Sequence, residues 1–407
     1  MDLSWKSIPG FRTLLQAVPF LGYSGYVKIL MVSMSYPDFA GSYRGIFIQK
    51  LCRELIRQGH HVLVVTPRIF RRSLACENDG GIRVYRFRFP SGDRPLGQTS
   101  GIPVTTMVWF MMSGLMKTFS VIMKERPDII HGNWIVPTGL IAALCGFITR
   151  IPVINTARGM DVRISDSGFI RLLFNLAVRL SRRIVVVSSA MKTRRGLEHA
   201  EVISSGVDDV FFTITPDRGS ATIISTRSLE PVYDIETLLK SLPEVRAQYP
   251  SVRCILAGTG SQEIHLKTLA RQLGIEDAVM FTGVVPQEEI IRLMQQSHVF
   301  VSTCADDGTS VALLEAVAAG LVPVVADIPT NRAWVVHAYD GYLFSPGNAH
   351  SLALSLTEAL GGKIDGNLLR MKRANLAERI AWPAIAGHYV SIYRYVVSLR
   401  GRRPCSA

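Results

Sequence analysis

The amino-acid sequence predicts an α/β protein of two doubly wound domains, each with a parallel sheet between layers of helices. Short apolar stretches of strand length alternate with stretches of helical periodicity along the chain, a pattern typical of such sheets. The alternation breaks near residues 201–216 and then begins again. A chain of 407 residues is also long for a single hydrophobic core, which favours two domains of about 150–200 residues.

The first half opens with an apolar strand at residues 28–33, followed by a polar, glycine-bearing loop at residues 35–45. Residues 46–58 carry apolar side chains at helical spacing, and Gly59 is expected to cap that helix. Further strands are predicted at residues 62–66, 82–87, 129–131, 153–156 and 184–188. Residues 27–205 are therefore expected to form most of the first domain.

The second half repeats this pattern. Its strands are predicted at residues 221–225, 254–257, 279–282, 299–302 and 322–326. Its helices are predicted at residues 235–249, 262–273, 288–297, 310–319 and 382–399. We therefore assign residues 206–384 to the second domain. Two such domains side by side form a cleft, and ligands bind there at the carboxyl ends of the strands.

Two further segments bear on membrane attachment. Residues 1–26 contain an interrupted apolar run that is too short to span a bilayer, and we expect a loose arm or an over-extended gene start. Residues 102–123 are apolar but contain Lys117 and several hydroxyl side chains. For that segment we favour a buried domain helix over an interfacial membrane helix.

The charged residues are unevenly distributed. Residues 1–205 carry 27 basic and 12 acidic side chains, whereas residues 206–407 carry 18 and 20. The basic half suits an anionic membrane surface or a pyrophosphate-bearing acceptor, and a generally basic surface explains it equally well. The sequence has no recognisable nucleic-acid-binding motif, so a nucleic-acid partner is not expected. The six cysteines show no paired spacing, which favours buried free thiols over disulfides or a metal site.

A glycine- and hydroxyl-rich turn in the second half is the sharpest functional signal. Residues 304–310 follow a predicted strand and end in Gly308, Thr309 and Ser310, immediately before a helix. Backbone N–H groups and hydroxyls at the positive end of a helix suit a diphosphate. Glu315, which lies on that helix, could bind a ribose through two hydrogen bonds.

Asp307 and Glu315 are eight residues apart and resemble the ExxxxxxxE signature of family 4 glycosyltransferases (glycosyl transferases group 1), with Asp307 in place of the first glutamate. The resemblance extends from Val27 to about Leu399. It implies a GT-B fold, in which two Rossmann-like domains face each other across a cleft and a C-terminal helix crosses back to the first domain. Residues from about 385 to 407 would then belong to the first domain. It also implies that no metal or other cofactor is needed, and that the sugar leaves its nucleotide donor with retention at the anomeric carbon. Asp307 would contact the donor sugar and Glu315 the ribose, with a helix cap as the alternative for Asp307 alone.

Other residues of the second half agree with this resemblance. Arg227 is similar to the family's arginine that binds the donor diphosphate, a role suited to its two-pronged guanidinium. Tyr233 stands where the family has a lysine; it can donate a hydrogen bond but adds no charge. Gly258 and Gly260 match the family's nucleotide-side turn, with an ordinary tight turn as the structural alternative. Val284 would present its backbone to the base.

The first half supplies residues that face the acceptor. Gly41 and Gly45 lie in the loop after the first strand, where the backbone could approach the donor closely. The segment containing His131, Asn133 and Trp134 resembles the family's acceptor-facing strand end. A lone histidine in such a position is more often a core residue than a ligand-binding one.

Arg158 and Asp161 match a family segment that usually has a histidine where Arg158 stands. An arginine cannot act as a base, but it can neutralise an anion. We therefore predict that both residues line the active site, with Asp307 and Arg227 as the other catalytic residues. A salt bridge between Arg158 and Asp161 is the structural alternative.

The family resemblance, together with these residues, implies a metal-independent retaining glycosyltransferase. Arg227 and the helix terminus would stabilise the leaving diphosphate during front-face attack, because no pair of acids is arranged for double displacement. The expected acceptor is a saccharide or a polyprenyl-pyrophosphate-linked molecule of cell-surface polysaccharide biosynthesis. The expected location is cytoplasmic and peripheral on the inner face of the membrane. A GT-B-shaped UDP-sugar epimerase and a weakly active membrane-face binding protein are the alternatives.

Overall fold

Two β-sheets, one in each half of the chain, form the frame of the computed structural model. The structure describes residues 25–39, 41–42, 44–93, 103–159, 161, 168–194, 197–308 and 310–399. Within these residues the strands of the first sheet are β1 (Lys28–Ser33), β2 (His61–Arg68), β3 (Cys76–Asp79), β4 (Ile82–Arg88), β5 (Ile129–Asn133), β6 (Val153–Ala157), β7 (Arg183–Val186) and β8 (Glu201–Val202). They lie in the order β3-β4-β2-β1-β5-β6-β7-β8. The β3–β4 pair is antiparallel and the other pairs are parallel.

The second sheet is parallel throughout its described strands. These strands are β9 (Thr222–Ser225), β10 (Arg253–Leu256), β11 (Val279–Phe281), β12 (Val299–Ser302), β13 (Val322–Ala326) and β14 (Tyr342–Phe344). They lie in the order β11-β10-β9-β12-β13-β14. The sequence had predicted all of them except β14.

Helices cover both sheets. Those of the first half are α1 (Ile46–Arg57), α2 (Val104–Glu125), α3 (Leu140–Thr149), α4 (Gly168–Leu180) and α5 (Ser189–Arg194). Those of the second half are α6 (Ile235–Gln248), α7 (Glu263–Gln272), α8 (Gln287–Gln295), α9 (Val311–Ala318), α10 (Pro329–Arg332), α11 (Ala349–Leu360), α12 (Gly366–Ile380) and α13 (Trp382–Ser398).

Strand β1 illustrates why the first sheet forms. Ile29 and Met31 are buried in one hydrophobic cluster, whereas Leu30 and Val32 are buried in another. A strand that is covered on both faces needs a continuous apolar run rather than an alternating one. The apolar run of β1 therefore forms the centre of a sheet enclosed by two helical layers.

Helix α13 returns to the first domain, as the sequence predicted. Its residues Tyr389, Tyr393 and Val396 belong to the same hydrophobic cluster as Ile29 of β1 and Leu51 of α1. The first sheet ends at β8 and the second begins at β9, one on each side of the predicted division between residues 205 and 206. The predicted architecture of two doubly wound domains with a returning C-terminal helix is confirmed.

The chain passes between the two domains at two neighbouring points. Val207, on the outward pass, pairs with Ala381, on the return pass, and its N–H donates to the carbonyl of Ile380 at 2.8 Å. A side chain at Gly206 would come within 2.4 Å of the Trp382 ring. The two chain segments that connect the domains are therefore packed tightly against each other.

Helix α2 is apolar on both faces. Its inner face packs against β2, β4 and α3, with Phe110, Thr118 and Ile122 buried there. Its outer face exposes large apolar side chains, among them Trp109 and Met116. By length and composition alone α2 could cross a bilayer. The expected buried domain helix is thus correct for one face only.

The described cysteines are free, and all of them except Cys76 are buried. No group of three or more side chains that could hold a metal ion occurs among the described residues. Residues 1–24 of the predicted arm, and Cys405, lie outside the described residues.

Candidate functional site

Arg227 is the centre of a polar cluster at the carboxyl ends of β9 and β12. These strands are neighbours in the sheet, so the loops that follow them meet. The Arg227 guanidinium donates to the Asp307 carboxylate at 2.5 Å and to the Ser310 hydroxyl at 2.7 Å. Its carbon lies 4.3 Å from the centre of the Tyr233 ring. Four residues predicted on the donor side are therefore in direct contact.

The position of Tyr233 clarifies its role. The residue that stands where a lysine was expected stacks on Arg227, and its backbone carbonyl accepts from the Thr303 hydroxyl at 2.7 Å. Tyr233 thus holds the guanidinium in place rather than adding a second charge. Arg227 is therefore the cation of this cluster, and its contact with a phosphate stays a prediction.

Helix α9 begins directly at this cluster. Ser310 is its N-cap, and the Ser310 hydroxyl accepts from the backbone N–H of Leu313 at 3.3 Å. Gly308 leaves open space where a side chain would stand. The positive end of the helix dipole therefore adds to the charge of Arg227. Thr309 lies outside the described residues.

Glu315 projects from α9 into a partly buried position. Burial raises the pKa of its carboxyl to about 7; Lys50 opposes this shift and Asp208 adds to it. Lys50 donates to Asp208 at 2.5 Å, and Gln287 donates to the same carboxylate oxygen at 2.6 Å. This ion pair links α1 of the first domain to the start of the second, next to Glu315.

Gly258 and Gly260 have a clear packing role. A side chain at Gly258 would come within 2.4 Å of the Arg227 carbonyl oxygen, and one at Gly260 within 2.3 Å of the Leu229 carbonyl oxygen. The loop after β10 therefore lies directly on the loop that carries Arg227. Val284, on the loop after β11, is 64% exposed. Contacts of these three residues with a donor stay a prediction.

Arg158 organises the first-domain side of the cleft. Its guanidinium donates to the Asn133 side-chain oxygen at 2.8 Å and lies 4.8 Å from the centre of the Phe47 ring. Phe47 packs edge-on against Trp134. Burial lowers the pKa of Arg158, whereas Tyr389 and Asp161 oppose the shift, and the side chain stays charged at neutral pH. Arg158 and Trp134 are partly exposed at this edge.

Asp161 does not line the cleft as predicted. It is 1% exposed, and its carboxylate accepts from the backbone N–H groups of Arg158, Gly159 and Ile135 at 2.7–3.0 Å. The salt bridge with the Arg158 guanidinium is also wrong, because that guanidinium bonds to Asn133. Asp161 instead holds together the loops that follow β5 and β6.

His131 and Asn133 are fully buried, so their predicted contact with an acceptor is wrong. The His131 ring nitrogens lie 2.7 Å from the Tyr393 hydroxyl and 2.8 Å from the Thr156 hydroxyl. Burial, and then Arg158, hold the pKa of His131 well below its usual value, so the ring is neutral. The buried Asn133 side chain positions the Arg158 guanidinium by accepting its hydrogen bond. His131 is therefore a core histidine, the alternative that the sequence left open.

The glycines after β1 differ from each other. Gly45 is the N-cap of α1 with a φ of 71°, and a side chain there would come within 2.4 Å of the Ser35 backbone. Gly41 faces open space. Gly45 therefore serves the tight turn into α1, and its approach to a donor stays a prediction.

Family comparisons divide the chain as the two sheets do. The model described as "Glycosyl transferase 4-like domain" matches residues 45–202. The model described as "Glycosyl transferases group 1" matches residues 208–379. The chain belongs to the group 1 glycosyltransferases.

Similar proteins span most of this glycosyltransferase. An uncharacterized glycosyltransferase of Methanocaldococcus jannaschii is 23% identical over 404 residues, which covers 92% of this chain and all of that protein. The glycogen synthase of Mycobacterium tuberculosis is 24% identical over 409 residues, with 93% of this chain and 96% of that protein covered. The crystal structure of Anabaena HepE in complex with UDP has a TM-score of 0.70 at 18% identity, and it covers 90% of this chain and 99% of that one. The chain therefore has the GT-B fold.

Sequence reasoning missed Lys50, Asp208 and Gln287 of this glycosyltransferase. Lys50 and Asp208 are 158 residues apart, and their contact depends on how the two domains meet. No local motif marks such a pair. The exposed polar face of α1 was the only signal, and it is equally typical of a solvated surface.

Proposed function

We propose that this glycosyltransferase moves a sugar from a nucleoside diphosphate sugar, held on the second domain, to an acceptor held on the first. The observation that carries the proposal is the placement of Arg227 at the N-terminus of α9, with Glu315 on the same helix. The guanidinium and the helix terminus suit a diphosphate. Glu315 would bind the ribose hydroxyls. The UDP bound by the Anabaena protein supports a nucleotide-bearing donor.

The proposed chemistry is transfer with retention and without a metal. Arg227 and the α9 terminus would stabilise the negative charge that develops on the leaving diphosphate. Asp307, held by Arg227, would fix the hydroxyls of the donor sugar. Arg158 would place a second positive charge at the opposite wall. A leaving phosphate oxygen would accept the proton of the attacking hydroxyl as the new glycosidic bond forms.

A donor screen tests this proposal. Calorimetry with UDP-, GDP- and TDP-sugars should find one donor class that binds, and product analysis should then give the anomeric configuration. Glu315→Gln should weaken binding of that donor. An inverted product would refute retention, and loss of activity in EDTA that added Mg²⁺ restores would refute metal independence. If no donor binds the wild-type protein, the transferase assignment of this site fails.

We further propose a cytoplasmic enzyme that works on the inner face of the membrane, on a saccharide or polyprenyl-pyrophosphate-linked acceptor of surface polysaccharide synthesis. The outward face of α2, α3 and α4 supports this. Its exposed apolar side chains are Val104, Val108, Trp109, Met112, Met116, Phe119, Met123, Phe147, Ile148, Phe169, Leu172 and Leu176. The three helices pack against one another in sequence order, and so many exposed apolar side chains on neighbouring helices are typical of a contact with a membrane or with another protein.

The charged residues near these helices favour a membrane, rather than a second copy of the chain, as the partner of this apolar face. The three helices contain one acidic residue, Glu125, which is buried and paired with Lys28 and Arg83. Exposed basic residues in or beside these helices include Lys124, Arg126, Arg150, Arg171 and Arg179. Two copies packed face to face would oppose like charges, whereas anionic lipids would neutralise them.

Vesicle flotation tests the membrane proposal. Full-length protein should float with vesicles that contain anionic phosphatidylglycerol and should float less with neutral phosphatidylcholine. High salt should weaken the binding without abolishing it, because part of it comes from apolar burial. Equal recovery with anionic and neutral vesicles, or no flotation, would contradict the proposal.

A further inference from the structure

A second cationic pocket lies in the first domain, away from Arg227. It has a volume of about 460 Å³ and is lined by the residues that end β2 and β4 and by the loops that follow them. Arg68 and Arg88 are registered partners on these two parallel strands. They therefore extend from the same edge of the sheet, and Arg71 joins them from the loop after β2.

The three arginines have no carboxylate partner within the part of the chain that the structure describes. The Arg68 guanidinium donates to the Arg71 carbonyl at 2.5 Å, and its Nε is buried without a hydrogen-bond partner. Asp93 also lines the pocket, but it accepts from the backbone N–H of Arg71 at 3.1 Å. The pocket thus combines three positive charges with one negative charge, and a concave surface of one sign concentrates oppositely charged ligands.

The frame of the pocket is firmly held. The Ser91 hydroxyl donates to the Ile69 carbonyl at 2.6 Å and so ties the two loops together. Phe89 packs edge-on against Phe110 of α2, with ring centres 5.1 Å apart. A site whose walls are fixed before binding loses less entropy when the ligand enters. These contacts fix the loops and the apolar wall of the pocket, from which the exposed Arg71 and Arg88 side chains extend.

We infer that this pocket binds a phosphate or diphosphate group of the acceptor. This inference rests on the proposed function, and it narrows the acceptor named there to one that carries a phosphate. Guanidinium groups suit phosphate because they offer paired donors in one plane. The pocket lies on the acceptor-side domain. β2 and β5 are two strand spacings apart, about 10 Å, so the phosphate sits at a distance from the cleft edge at Arg158 and Trp134. The acceptor must be long enough to reach both places.

Calorimetry with inorganic pyrophosphate tests the pocket. The Arg227 site also binds this probe under the proposed function, so Arg227→Gln serves as the background. In that background the added pair Arg71→Gln and Arg88→Gln should weaken the remaining pyrophosphate binding at least tenfold, and Arg71→Lys with Arg88→Lys should weaken it less. Arg253→Gln, an exposed arginine of β10, is the matched control and should have no effect. Unchanged affinity in the Arg71/Arg88 variant would overturn the inference.

Two competitors identify the source of the phosphate. Displacement of pyrophosphate from the Arg227→Gln protein by glucose 1-phosphate indicates a soluble sugar phosphate, and displacement by dodecyl phosphate indicates a lipid phosphate. If neither competes, the inference fails. Binding of the nucleotide sugar should be unchanged in the Arg71/Arg88 variant. If only the Arg227 variants lose donor binding, the inference about the pocket stands. If the wild-type protein binds no donor, the proposed function is refuted, but the inference about the pocket is not.

Discussion

Arg227 makes two different hydrogen bonds and a ring contact, so its shape matters as much as its charge. Asp307 and Ser310 each accept from a separate nitrogen of the guanidinium, and a lysine cannot reproduce that fork. Arg227→Lys should therefore weaken donor binding about 10- to 100-fold, because one or two charge-assisted hydrogen bonds are lost. Calorimetry with the identified donor measures this. Arg253→Lys should leave the affinity unchanged, and equal affinities of Arg227→Lys and wild type would contradict the assigned role.

Glu315 makes folding stability depend on pH. Its carboxyl has a pKa of about 7 in the folded protein against 4.5 ordinarily, so between these values the folded state holds a proton that the unfolded state has lost. The free energy of unfolding should therefore fall as pH rises from about 4.5 to 7. The full shift corresponds to about 3 kcal/mol, and because the side chain is only partly buried we expect about half of that.

Glu315→Gln removes this ionisation. The variant should gain about 1.5 kcal/mol of stability relative to wild type between pH 5 and pH 8, while it binds the donor more weakly. Urea unfolding at several pH values measures the gain. A constant difference between the two proteins at every pH would show that Glu315 ionises normally.

Residue type, spacing and the family resemblance together predicted the cluster of Arg227, Asp307 and Ser310, because all three follow parallel strands and such strand ends meet at one edge of a sheet. They could not predict which way a side chain faces. His131 lies within β5, where alternate side chains face opposite helical layers, and it faces the helix α13 that contains Tyr393. Asp161 follows a strand, but its carboxylate satisfies backbone N–H groups instead of a ligand.

At the scale of elements, the loops that carry Gly258 and Arg227 lie in backbone contact at the proposed donor site. Gly258→Ala would force a methyl group against the Arg227 carbonyl oxygen, which should cost about 1–3 kcal/mol of stability. It should also weaken donor binding, because the loop that carries Arg227 must move. Thermal unfolding and calorimetry test both effects. Gly387→Ala is the control, since a side chain there meets open space within helix α13, and it should be neutral or slightly stabilising.

The outer face of α2 should contribute to membrane binding but little to folding stability. Trp109 and Met116 are 63% and 69% exposed, so Trp109→Ser with Met116→Ser should change thermal stability little. The same two substitutions should reduce flotation with anionic vesicles several-fold, because less apolar side-chain area would be buried in the bilayer. Ile264→Ser with Met371→Ser, exposed apolar residues of the second domain, is the matched control. Equal loss of flotation in both variants would rule out α2 as the docking element.

At the scale of the whole molecule, the ion pair of Lys50 and Asp208 joins the two domains beside Glu315. Both side chains are partly exposed, so the pair should add only about 0.2–1 kcal/mol to stability. Its larger effect should be on the Glu315 carboxyl, whose pKa Lys50 lowers and Asp208 raises. Lys50→Gln and Asp208→Asn should therefore shift the pH midpoint of donor binding in opposite directions. Calorimetry from pH 5 to pH 9 measures the midpoints, and shifts of the same sign would contradict this coupling.

The paired passes of the chain at Val207 and Ala381 have a consequence for how such a protein can be altered. Because the chain enters and leaves the second domain at neighbouring points, this domain is an insertion whose two ends lie close together. An exchange of residues 208–380 for the corresponding stretch of another family member would change two junctions only. Under the proposed function, such an exchange could change donor choice while acceptor recognition stays with the first domain, and the close contact of Gly206 with Trp382 would be kept because both residues lie outside the exchanged stretch.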